Sequence, residues 1–165
     1  MSTICRPPDR KGGQMDKDEL LIKELSHHTG VEMEYRTDER LCEISVDGHV
    51  LMLRYRPDGD DWLYFGVVAD FEDEGLSEAV LTRALEFNLF GAGTSAFHLG
   101  LFGMSFILSG TVAMDGLTAE SFADRLVALV RKIEELSGEL AESGAAVRSG
   151  EGESSGAFGA DLVQV

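Results

Sequence analysis

The sequence predicts an α+β domain in which a twisted antiparallel sheet packs with helices in the order α-βββ-α-ββ-α. Three observations carry this. Asp47-Gly48 joins two runs whose apolar residues alternate, the signature of a two-residue hairpin. Residues 76–101 pass from helical to alternating periodicity across Gly91-Ala92-Gly93. Phe122, Leu126, Leu129, Ile133, Leu136 and Leu140 then step by fours and threes, the spacing of one helical stripe.

The elements follow in order. Asp16 is placed to cap a first helix, with Asp18 and Glu19 near its positive end. Leu21, Ile22, Leu25 and His28 recur at helical spacing, and Gly30 ends the run. In residues 41–46, Cys42, Ile44 and Val46 face one way and Leu41, Glu43 and Ser45 the other. In residues 49–55, Leu51, Leu53 and Tyr55 oppose Val50, Met52 and Arg54. Pro57-Asp58-Gly59 makes a turn. Residues 62–69 are apolar on both faces, as in a central strand or one with a face kept for a partner. The helix of residues 76–89 is expected to bury one stripe of Leu76, Val80, Ala84, Leu85 and Leu89. Strands over residues 96–101 and 104–112 follow, and Thr118 caps the last helix. The expected organisation is a flexible arm over 1–15, one domain over 16–141, and a disordered Gly/Ser/Glu-rich tail over 142–165.

The 165 residues suffice for one domain with a real core. A formal charge of -16 repels phosphate backbones and anionic lipid, which argues against nucleic acid and membrane surfaces as partners. No apolar run reaches the roughly 20 residues of a membrane helix, and no apolar core follows the basic residues near the start. Cys5 and Cys42 do not form a disulfide scaffold, which fits a reducing cytoplasm.

Chemistry is sparse. His27 and His28 are adjacent and point about 100° apart on a helix, unsuited to one metal. His49 and His98 have no nucleophile beside them. Asp58-Gly59-Asp60-Asp61 lacks the spaced ligands of a calcium loop. In Gly91-Ala92-Gly93-Thr94-Ser95 the helix precedes the glycines, whereas a phosphate cradle needs it after them. The chain is therefore expected to be no enzyme and to need no metal or cofactor. What remains is apolar surface, in excess of what one protomer of this size can bury, and it implies a binding protein.

The element order, together with LLIKELSHHTGVE, LCEISVDGHVLMLRY, WLYFGVVAD and ALEFNLFGAGTSAFHLGL, resembles the class I type III secretion chaperones, the family of the translocated intimin receptor chaperone. The resemblance runs over about residues 16–140. It implies a bacterial cytoplasmic homodimer without enzymatic activity. Its partner would be the extended N-terminal segment of a secreted effector, with the secretion ATPase or export apparatus as a further contact. Grooves lined by Leu21, Leu25, Leu41, Ile44, Leu51 and Leu53 would take the effector. Leu81, Leu85, Leu89, Phe90, Phe97, Leu99 and Leu101 would form the dimer interface. The alternative is a protein-interaction adaptor of the same fold outside secretion.

Overall fold

The structure is a computed structural model and describes residues 16–71, 75–89 and 96–150, with side chains as far as residue 144. The elements are α1 (Lys17–Thr29), β1 (Glu34–Arg36), β2 (Leu41–Val46), β3 (His49–Arg56), β4 (Asp61–Asp70), α2 (Glu78–Asn88), β5 (His98–Phe102), β6 (Ser105–Ala113) and α3 (Ala119–Gly150). The six strands form one antiparallel sheet in the order β1-β2-β3-β4-β6-β5. The α+β class and the expected elements are all present. β1 is an addition: three residues, Glu-Tyr-Arg, are too short to show alternation.

Local chemistry sets the boundaries. Asp47 and Gly48 both have positive φ, 49° and 84°, as the tight β2–β3 hairpin requires. At the start of α3 the Thr118 hydroxyl accepts from the Ser121 N–H at 3.2 Å, while the Ser121 hydroxyl accepts from the Thr118 N–H at 3.2 Å. Asp16 has the extended backbone of a cap residue, but its side chain caps nothing. It lies 3.5 Å from Arg40 instead. α3 continues to Gly150, beyond the domain end expected at 141. The arm expected over 1–15 and residues 151–165 of the tail lie outside the described residues.

One face of the sheet holds the core. Cys42, Ile44, Leu51, Leu53, Tyr55, Trp62, Tyr64, Val68, Leu99, Phe106 and Leu108 are buried there with the inward stripes of the helices. Trp62 stacks at 5.5 Å on Tyr55 and 5.7 Å on Phe122. Its indole N–H is buried without a partner. α3 crosses β4 closely because Gly66 has no side chain. A Cβ there would stand 2.7 Å from the Ile133 Cδ1. α1 is tied to the sheet by Asp18, which is 2% exposed and accepts from the Tyr35 hydroxyl and from Arg40 at 3.1 Å.

Gly110 gives Tyr64 its place: a Cβ there would meet the ring at 2.6 Å. The ring cannot swing freely, since Phe97 and Phe122 pack against it edge-on. Gly110→Ala is therefore expected to lower unfolding free energy in urea by about 1–3 kcal/mol, the usual cost of overpacking. A change within experimental error would show that Tyr64 is not held.

Burial pushes the Cys42 thiol up to about 11, from 9.0 in the unfolded chain. In that window the unfolded state binds fewer protons than the native one, so stability falls as pH rises from about 9 to 11. Burial, and next the bond to Asp18, raises the Tyr35 hydroxyl too, which extends the fall to higher pH. Urea midpoints across this range should show the decline, and Cys42→Ala should flatten its first part.

Candidate protein-interaction surfaces

Three apolar surfaces remain open. The first is on α2. Ser77 caps this helix, its hydroxyl accepting from the Val80 N–H at 3.3 Å. Arg83 braces it, bonding Glu86 at 2.8 Å on the same helix and Glu139 on α3, with its guanidinium 4.7 Å from the Phe87 ring centroid. This orientation buries Val80, Ala84 and Phe87. It leaves Leu81, Leu85 and Leu89, one residue further round and four apart, facing outward. Leu85 is 72% exposed and Leu89 58%. α2 lies against β5, where Leu101 is exposed and Phe102 is 78% exposed.

The expected single stripe on α2 is thus corrected. Val80 and Ala84 face the core, while Leu85 and Leu89 belong to a second stripe pointing to solvent. Of the residues expected at a dimer interface, Leu81, Leu85, Leu89 and Leu101 are exposed. Phe97 and Leu99 are buried within the protomer, Phe97 against Tyr64. Phe90 falls outside the described residues, as does the Gly91–Ser95 turn.

The second surface is a groove of about 460 Å³ between the end of α1, β2 and the first turns of α3. Ile44 and Leu126 lie at its base, and Val31, Met33, Val46 and Val127 add apolar walls. His28, Asp47 and Asp124 also line it. An apolar trough with polar groups along it suits an extended or helical peptide segment.

The third surface is the sheet face opposite the core. Across the strands Leu41 stands opposite Arg54, which in turn stands opposite Leu63, while Met52 is opposite Phe65 and Val67 opposite Ile107. Leu41, Met52, Leu63, Phe65 and Ile107 are half-buried, and Val50 and Val67 are exposed. Beside it a polar cleft of about 570 Å³ gathers Arg40, Arg54 and Arg56. Arg56 grips Asp61 with two bonds of 2.8 and 2.6 Å, which holds that carboxyl below its usual range.

Of the residues expected to touch an effector, Ile44 lines the groove and Leu41 is half-buried on the outer face. Leu21, Leu25, Leu51 and Leu53 are inside the protomer, at 0–3% exposure. Val31, Met33 and Val127 of the groove went unnoticed in the sequence, because the first two lie in the connection between α1 and β1, the third lies on α3, and they meet only in the fold. Among the described residues no group of His, Cys, Asp or Glu could hold a metal ion, and no helix is long and apolar enough to cross a membrane.

The described residues thus form an α+β domain whose open surfaces are apolar and lie on several sides. The chain belongs to the Tir chaperone protein (CesT) family, whose model matches residues 20–137. Solved structures share the fold. The ExsC–ExsE complex matches with a TM-score of 0.62 at 18% identity, over 74% of this chain and 92% of that one. The HopA1–SchA chaperone–effector complex gives 0.58 at 15%, over 74% and 94%. The Yersinia pestis type III secretion chaperone SycH, in complex with a fragment of YscM2, gives 0.56 at 20%, over 73% and 99%. No curated protein matches the chain.

The exposed stripe of α2 and the buried Phe97 beside β5 can be told apart by charge. Leu85→Asp should leave the urea stability of the single protomer, measured at dilutions where no dimer forms, within about 0.5 kcal/mol, as for other surface changes. Phe97→Asp puts a charge against Tyr64 and should cost several kcal/mol or abolish folding. Equal losses in both variants would refute this assignment of faces.

Proposed function

We propose that the protein is a type III secretion chaperone that binds the N-terminal segment of a secreted effector and keeps it extended for export. The observation that carries this is the open apolar groove between α1, β2 and α3 on a chain of this family. Chaperone–effector complexes among the proteins of similar fold support it. In this reading the partner segment lies on Ile44, Val31 and Val127 and extends past Leu41. Leu21, Leu25, Leu51 and Leu53 hold that surface from beneath. Burial of the segment must exceed an ordering cost of roughly 2–5 kcal/mol.

The chaperone works as a homodimer through Leu81, Leu85 and Leu89, with Leu101 at the border. A specific interface covers roughly 800 Å² on each partner, and these side chains form its apolar centre. The net charge of -16 keeps such surfaces from nonspecific collapse and suits a less acidic client.

Coexpression with secreted proteins encoded beside this chain, followed by light scattering and limited proteolysis, tests the proposal. The expected species is two copies plus one client whose N-terminal segment resists protease. Val127→Asp should weaken client binding at least tenfold without changing the mass of the free chaperone. Leu85→Asp should yield a folded monomer. Capture of a client only in its folded form would favour the adaptor reading, and no capture of any would overturn both.

A further inference from the structure

The two edges of the sheet are unlike. At the β5 edge, Asn88 at the end of α2 reaches over and makes both kinds of main-chain bond with one residue. Its Nδ2 donates to the Leu99 carbonyl at 2.7 Å, and its Oδ1 accepts from the Leu99 N–H at 3.1 Å. Only one orientation of the amide satisfies both. Among the described residues β6 is the only sheet neighbour of β5, and the bonds to Asn88 turn both groups of Leu99 away from it, toward the open side. They are the groups an added antiparallel strand would use. At the opposite edge, no side chain among the described residues bonds to the backbone of Glu34–Arg36.

We infer that Asn88 closes the β5 edge by acting as a one-residue strand, so that a second copy of this chain does not pair with the sheet there. An unpaired edge is a template for association, and proteins blunt such edges locally. Here the blocking group comes from the helix whose exposed stripe carries Leu81, Leu85 and Leu89. α2 can therefore offer side chains to a partner while withholding the backbone of β5. Leu101 is the next residue whose backbone turns outward along this strand.

Asn88→Ala in the full chain tests this, with the unaltered chain as baseline for both readouts. Amide exchange at Leu99 should become about tenfold faster, while the Leu53 and Tyr64 amides keep their rates. Mean mass by light scattering should rise with concentration above that of the unaltered chain. Adding Leu101→Pro, which removes the next edge N–H, should abolish the rise. If Asn88→Ala does not fold, Asn88→Asp, which keeps only the acceptor, should show a smaller rise with Leu99 still protected. A mass curve that matches the unaltered chain at every concentration overturns the inference. So does unchanged exchange at Leu99 in Asn88→Ala, or association that survives Leu101→Pro. The Leu99 exchange readout, taken against the unaltered chain, is independent of whether the chain dimerises through α2 or binds an effector.

Discussion

Everything else in this fold depends on α3 lying across β4. The contact is close because Gly66 yields its place to Ile133, and it is wide because Phe122 reaches both Trp62 and Tyr64 at 5.7 Å. Large apolar side chains buried this way each contribute roughly 1.5–3 kcal/mol. α1 and α2 then pack against α3. The first is fixed to the sheet through the buried Asp18 and its bonds to Tyr35 and Arg40, the second through Asn88 on Leu99. Once α3 is placed, the inward stripe of every helix is decided, and so is the apolar surface left over.

In the proposed function that leftover surface is what meets the partner. It lies on separate sides: the outer stripe of α2, the groove beside Ile44, and the far face of β4. A long flexible ligand can touch distant patches at once, which a compact ligand cannot. Such a ligand loses freedom on binding and needs many small contacts to offset the loss. Dispersed apolar patches on a highly acidic body answer that need. The acidic residues supply repulsion between copies, which lets so much apolar area stay in water.

Most of the architecture was legible because it rests on local signals. Asp47-Gly48, the alternation around Leu51 and Leu53, and the seam from Phe122 to Leu140 have direct physical meaning. β1 was not legible, since Glu34–Arg36 gains strand character only by pairing with β2. On α2 the apolar residues make two overlapping stripes. Periodicity does not say which of Ala84 and Leu85 faces inward, because that is set by the position of α3 and the Arg83–Glu139 contact. The same limit applies to the binding surface. Leu51 and Leu53 have the composition of a contact patch, yet the helices cover them. Val31 and Val127 are unremarkable in sequence and become neighbours only across the groove.

Trp62 is the chain's single tryptophan, and it sits at the centre of the core with its N–H unpartnered and its ring enclosed by Tyr35, Tyr55 and Phe122. An indole in such surroundings emits at shorter wavelength than one in water. The protein thus carries its own optical gauge, and the gauge is selective. It reads whether α3 is seated on β4, while ligands settling on the outer stripe of α2 leave its colour unchanged. Loss of the core and occupation of that stripe are therefore separable in one cuvette, without any label.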